Sequence, residues 1–551
     1  MILAFFALTL IFAFGVSFLS VASSSLITAK RDVLRARALT CAEAGLDRAI
    51  AYLMVQPAPG EMPGTWRTSH PSSDPDDHSG DARHVESLAH GEIFRVCCRD
   101  GTGINSGKIV VTSWGIVTEG GATVSRKINA VLDLNCENIC VWNNVIFGGV
   151  GQGGRSINGN VAIRGSVHLL GDGENYTDID GDGHWDDDEP YTDSGSGMYE
   201  LGEPYVDVDA DGHRDAQEPF DDVNGNGTRD PALTVTDMSS EIAGDANMGN
   251  NYSSMSSQLR SLVPDPPETS FGGETVETLN AKLRVKHGKV NISGSATVGG
   301  PDQAGDTTKE TVDRTYVSDG FGGNSGVAGV HSDNGYSNGY DLGDGMVSLP
   351  VIDSGQYVND GVTYPNYLAY LSSNGTVHVG DLDIENGVAQ TISGPNGTLQ
   401  IDSSGNMTIS GIVYVTGDIS FGPARSLITY EGSGTLVTPR SMFAHCDVLP
   451  KTTFPTVDVL GIIAGDRIEL ATGSGDAQLT MALAMYAQHR VISNKQSEIA
   501  GTMVSSYYQM SNVPSIYQAP DLADHLPPGM PGADPIWIAT ITIESWQERP
   551  N

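Results

Sequence analysis

The sequence predicts an α+β N-terminal module, a long N-terminal helix plus an antiparallel sheet. A mainly-β C-terminal region follows, read as a parallel β-helix interrupted by a metal-binding loop insertion. Three observations carry this reading. No charged residue precedes Lys30, and a helical small-residue period continues to Leu53. Glycine is abundant, at 67 of 551 residues, and separates many short β-branched runs. Residues 172–230 hold 20 acidic and two basic residues, 18 of the net negative charges in a chain whose formal charge is −38.

The opening run, MILAFFALTLIFAFGVSFLSVASSSLITAK, is long enough to span a bilayer as a helix. It lacks the basic flank of a secretory signal. Ala38, Cys41, Ala42, Gly45, Ala49 and Leu53 then recur at three- and four-residue steps, the helical period. One continuous helix of about 50 residues is expected, roughly 75–80 Å long at 1.5 Å per residue. Its first half is apolar and its second amphipathic. Gly15 is a candidate point of local melting. Residues 56–90, rich in Pro, Ser, Asp and Gly, read as a loop. Strand-like runs follow at 92–99, 108–114 and 123–134, with the alternation and turn residues of an antiparallel meander.

The uncharged start and the pattern A-x-x-x-A-E-A-G-x-x-x-A, here Ala38, Ala42, Glu43, Ala44, Gly45 and Ala49, resemble the N-terminal helix of type IV pilin-like proteins of the PilX-type class. The resemblance implies that a basic leader has been removed before Met1, and that the helix holds the subunit in the membrane until assembly. It also implies a filament of identical subunits outside the cell, although Lys30, Arg31, Arg35 and Arg37 just past the apolar run oppose a simple positive-inside count. Phe5 stands where most major pilins carry Glu, so that carboxylate is not what docks this helix.

From about residue 145 the texture becomes short β steps broken by Gly and Asn. They run over 156–170, 283–298, 375–384, 397–420, 461–468, 482–491 and 499–504. Short repeated strands that bury no face alone must stack. The expected segments are 1–55 (helix), 56–144 (sheet module), 145–171 (start of the β-helix), 172–233 (calcium-binding insertion) and 234–551 (β-helix). Linkers are expected at 263–273, 349–365 and 519–535. The run 536–546 should be a closing strand, packed on the stack or on the first sheet.

Within the insertion, D-x-D-x-D-G-x-x-D-x-x-E occurs twice. One copy has Asp178, Asp180, Asp182, Gly183, His184, Asp186 and Glu189; the other has Asp207, Asp209, Asp211, Gly212, His213, Asp215 and Glu218. This is the spacing of EF-hand-type calcium loops. Positions 1, 3 and 5 aim oxygens at one centre, Gly allows the turn and position 7 lends its carbonyl. Position 9 acts through water, and Glu closes the site with both oxygens. A partial copy keeps Asp222, Asn224, Asn226 and Asp230. Proline follows each of the two closing glutamates, so no exiting helix can form. The resemblance is therefore to helix-poor repeats of the thrombospondin type 3 or dockerin kind, with calcium as the cofactor.

An acidic chain of this size does not suit nucleic-acid binding, which needs a basic face. No H-E-x-x-H or phosphate loop occurs. Asp381, Asp383, Asp418 and Asp466 are the carboxylates that a polysaccharide-cleaving face would use, but corner Asp is the commoner explanation, and no enzymatic activity is expected. The six cysteines permit 15 pairings; Cys97 or Cys98 with Cys136 or Cys140 would cross-link the first sheet. The alternative to a filament subunit is a tip-located or membrane-anchored adhesin whose β-helix meets carbohydrate or a surface.

Overall fold

The computed structural model describes residues 2–55, 84–88, 90, 92–152, 157–170, 241–285, 290–303, 305–317, 320–336, 347–510 and 512–549. The chain divides into two compact units, residues 1–139 with 534–551, and residues 140–533.

In the first unit, α1 runs unbroken over Ile2–Met54. No proline interrupts it, Thr9 and Thr28 bond back to carbonyls of the preceding turn without breaking it, and Gly15 is helical like its neighbours. Four strands form an antiparallel meander: β1 (His84–Ser87), β2 (Glu92–Asp100), β3 (Ile109–Glu119) and β4 (Ala122–Asn138). The closing strand Trp537–Arg549 pairs antiparallel with β4, Trp537 opposite Asn138. The expected choice for this run thus falls on the first sheet, and the second unit is an insertion between β4 and its partner strand. The division between the two units falls at residue 140. Register also overturns one cysteine expectation. Cys98 faces Val111, which faces Ala130. Cys136 is six residues further along β4, about 20 Å at 3.4 Å per residue, far beyond disulfide reach.

The second unit is mostly β, and its strands pair mainly in parallel. One ladder runs from Thr376–His378 through Asn406–Val415, Ser433–Thr438, Val459–Ala464, Thr480–Ser493 and Glu498–Met510. It does not end there. Glu498–Met510 pairs with Ile146–Gln152, and the ladder continues through Val167–Leu169 and Lys282–Val285 to Arg314–Val317. The late half of the unit is therefore stacked, without a covalent turn, on the beginning of the early half. A second ladder starts at Leu382–Glu385 and a third at Asn406–Thr408 followed by Leu427–Glu431, and both lean on the same two long strands.

Matched positions make apolar columns. Val413, Leu436, Ile462, Met485, Met503, Ile146, Val167 and Leu283 lie in register, and all are buried. Ile428, Val448, Met481, Ile499, Ile516, Ile163, Met248 and Val298 make another. Two expected linkers are partly structured. Glu268–Phe271 pairs with Glu274–Glu277, and Tyr357–Asn359 with Val362–Tyr364, each an antiparallel hairpin. Gly272-Gly273 and Asp360-Gly361, all with positive φ, form the turns of the hairpins.

Candidate assembly helix and its sheet

The two halves of α1 have opposite surroundings. From Ile2 to Ile27 the large apolar side chains stand exposed; Leu3 is 88% and Phe12 75% accessible. This is the one helix among the described residues long and apolar enough to cross a membrane, by length and composition. From Leu34 the helix lies on the sheet, and Leu34, Ala38, Cys41, Ala42, Gly45, Leu46, Ala49 and Leu53 are buried. Ala42, Leu46, Ala49 and Leu53 pack on Phe94, Val96, Cys98, Ile109, Val111, Ile128, Ala130 and Leu132 from β2, β3 and β4, and Leu34, Ala38 and Cys41 pack with Val117 of β3.

The small residues of the A-x-x-x-A-E-A-G pattern have a steric reason. A Cβ added at Gly115 of β3 would lie 1.9 Å from the Ala38 carbonyl oxygen and 2.5 Å from the Ala42 nitrogen. A Cβ at Gly45 would lie 2.3 Å from Ser113 Oγ. Helix and strand therefore approach backbone to backbone at Ala38 and Ala42, while Gly45 leaves room for the Ser113 and Phe94 side chains. Gly115 was not singled out by the sequence. A glycine inside a β-branched strand was the available signal, since it marks a close backbone approach.

Ion pairs fix the point where the helix leaves the sheet. Arg37 donates from Nε to Glu92 (2.8 Å) and from Nη1 to Glu119 (2.6 Å), and Lys30 Nζ lies 3.8 Å from Glu119. Two of the four basic residues after the apolar run are thus engaged with the sheet of their own unit. Further along, Arg48 reaches Glu86 at 3.6 Å and lies over the Tyr52 ring.

The expected calcium ligands, Asp178, Asp180, Asp182, His184, Asp186, Glu189, Asp207, Asp209, Asp211, His213, Asp215, Glu218, Asp222, Asn224, Asn226 and Asp230, all lie outside the described residues. Among the described residues no group of three or more His, Cys, Asp or Glu is placed to hold a metal ion. The four carboxylates of the second unit have plain roles. Asp381 Oδ1 accepts from the Asp418 N–H at 2.9 Å, and Asp418 Oδ1 from the Ser441 N–H at 3.1 Å. Asp466 Oδ2 accepts from Ser441 Oγ at 2.9 Å, while Asp383 is exposed on a strand. Three of them tie each corner of the stack to the next.

His445 has a carboxylate beside it. Its Nδ1 is 2.8 Å from Asp476 Oδ2, which also accepts from the Gly473 N–H at 2.7 Å. The adjacent Cys446 is fully buried, and burial pushes its thiol up to about 11, so it stays protonated and unreactive at neutral pH.

No protein-family model matches the chain, and no curated protein matches it. Among solved structures it is similar to the crystal structure of the competence-associated pilin ComZ from Thermus thermophilus. Identity is 15%, the TM-score is 0.48, and the match covers 94% of this chain and 97% of that one.

Proposed function

We propose that the chain is a structural subunit of an extracellular type IV pilus-like filament, held in the membrane by α1 before assembly and polymerising through the same helix. The carrying observation is the division of α1 into an exposed apolar half and a half seated on a sheet. Leaving a Leu, Ile or Phe side chain in water forgoes roughly 1.5–3 kcal/mol. A run such as Phe5, Phe6, Leu8, Ile11, Phe12 and Phe14 therefore requires lipid or copies of itself around it. The seated half keeps the globular part rigidly attached to whichever of these takes it up.

Charge distribution supports the same reading. The first unit holds 13 basic and 17 acidic residues, a net −4, and the second 17 and 51, a net −34. A near-neutral unit can pack against many copies. A unit with 34 excess negative charges is better placed in solvent, where repulsion between copies is screened. In this reading the parallel ladders of the second unit are a β-helix that decorates the filament, and calcium bound by the repeats at 172–233 offsets the repulsion among their carboxylates.

The test is Ala13→Lys, a charge on the exposed half away from the sheet. Sheared surface material should hold filaments of this polypeptide by electron microscopy and mass spectrometry, and the variant should give none while its thermal unfolding is unchanged. Filaments of normal abundance from the variant would make the helix an anchor only.

A further inference from the structure

One end of the stack in the second unit carries carboxylates that no Lys or Arg balances. It is built by the hairpin 357–364, the helix Tyr367–Asn374 and the first strands of two ladders, Thr376–His378 and Leu382–Glu385. No Lys or Arg occurs between Arg314 and Arg425, the longest such gap in the chain. Within it, residues 347–424 are all described and carry seven carboxylates. Among the described residues their one ionic partner is a histidine, His489, 3.6 Å from Asp353. Asp381, Asp402 and Asp418 accept backbone N–H groups, which holds them in place without cancelling their charge. Leu382 and Ile384 point into the core, so Asp383 and Glu385 point out together, about 6.6 Å apart at 3.3 Å per residue.

Apolar exposure is concentrated on the same end. Ten large apolar side chains stand exposed in the described part of the unit, and six of them are Val351, Val358, Val362, Val377, Val379 and Val388. The segments that carry them are fastened together. Tyr357 meets Tyr367 at 4.7 Å and Tyr364 meets Tyr370 at 5.3 Å, edge to face, which seats the hairpin on the helix. The helix runs directly into Thr376–His378. Single exposed apolar residues are ordinary on a protein surface, but a grouped set rimmed by charge marks an interaction site.

We infer that this end docks an extended segment of a partner protein that carries Lys or Arg at alternate positions beside apolar residues. Cations two residues apart on an extended chain have the spacing of Asp383 and Glu385. Apolar side chains next to them cover Val377 and Val379. A second copy of this unit is a poor occupant, because its net −34 would set carboxylates against carboxylates. The site uses no part of α1 and stands independently of the filament reading.

The experiment uses the full chain in detergent micelles, which cover α1, and a labelled peptide with Lys and Val at alternate positions and Ser between them. Binding is read by fluorescence anisotropy and its place by amide hydrogen exchange. The peptide should bind and protect amides within 357–388. Asp383→Lys with Glu385→Lys in one variant, and Val377→Ser with Val379→Ser in another, should each weaken binding about tenfold or more with thermal unfolding unchanged. Glu268→Lys with Asp302→Lys, which reverses two exposed carboxylates elsewhere on the unit, should leave binding as it is. The acidic insertion is the same in every variant, so its charge cannot produce these differences. Equally tight binding of a peptide with Ser in place of Val would mean attraction to bulk negative charge and overturns the inference. So do protection confined to other segments, an equal loss in the control reversal, or a wild type that does not bind. Ala13→Lys should lose filaments and keep this binding, which separates the two proposals.

Discussion

Gly115→Ala is the most informative single substitution in the first unit. The new methyl carbon would sit 1.9 Å from the Ala38 carbonyl oxygen, 2.5 Å from the Ala42 nitrogen and 2.9 Å from Cys41 Cβ. Two of these are helix backbone, which no rotamer change can move. Restoring ordinary contact near 3.4 Å requires α1 to lift by about 1.5 Å, which would loosen the side chains from Leu34 to Leu53 together. Overpacking a core by one methylene costs about 1–3 kcal/mol, and a rigid backbone obstacle belongs at the top of that range. For a unit of this size, about 3 kcal/mol lowers the melting temperature by roughly 6–12 °C. Two substitutions calibrate the result. Gly45→Ala meets Ser113 Oγ at 2.3 Å, a side chain that can rotate, so its cost should be smaller. Gly15→Ala meets nothing within 4 Å and should gain up to about 1 kcal/mol of helix propensity. Calorimetry of the three variants in detergent gives the order, with the transition of the second unit as internal control. A Gly115→Ala protein that melts with the wild type would refute the close seating of the helix.

Three further outcomes follow from the same geometry. Lys309 is pulled down by burial but raised on balance by its bonds to Asp313 and Asp333. Its folded pKa lies above its unfolded value, so the triad stabilises below about pH 10 and that contribution is lost as pH rises through the folded pKa. Unfolding followed from pH 8 to 12 should show this loss, and Lys309→Met should abolish the alkaline dependence while costing on the order of 3 kcal/mol at neutral pH. Met503→Ala, in the column where the halves of the second unit meet, should cost about 2–5 kcal/mol, and a value under 1 would mean that the join is loosely packed. Removing calcium with chelator should expose residues 172–233 to protease, and Glu189→Gln with Glu218→Gln should lower the calcium stoichiometry measured by calorimetry; unchanged digestion would leave the loops without a structural metal.

Much of the first unit was legible because its signals are local. The helical period from Ala38 to Leu53 needs no partner to be seen, and the alternation in EIFRVCCRD and IVVTSWGIV announces strands whatever they pair with. The sequence leaves Trp537–Arg549 two possible partners, since alternation reveals that a strand has a buried face but not whose sheet it joins. In the second unit the short strands were visible and their order was not. Nothing at Met503 or Ile146 signals that residues so far apart in sequence share a column, because parallel register is set by packing and leaves no local pattern. The hairpins at 268–277 and 357–364 were hidden for a related reason: Pro and Gly mark a turn without showing what its arms do. The ionic seat of the helix at Arg37, Glu92 and Glu119 likewise joins three separate elements and has no spacing to read.

The placement of the second unit carries a last prediction. Asn138 and Trp537 face each other in the ladder, and the N–H of Ile139 donates to the Ile536 carbonyl at 2.7 Å. Everything between lies in a unit with its own core, whose ends are tied within it by the Trp142 indole N–H donating to the Pro531 carbonyl at 2.7 Å. Where two strands of one sheet end side by side, a short turn can replace whatever connects them. A chain in which Asn-Gly substitutes for residues 140–533 should therefore keep the closing strand on β4 and the helix on the sheet. In detergent it should melt cooperatively, with Gly115→Ala lowering its melting temperature as in the full chain. If the shortened chain is instead unfolded, the closing strand depends on the inserted unit, and the first sheet is not the independent platform on which α1 is carried. If it folds, the same chain separates two contributions in the intact protein: filaments without residues 140–533 would assign assembly to α1 and its sheet, and the −34 unit would be cargo.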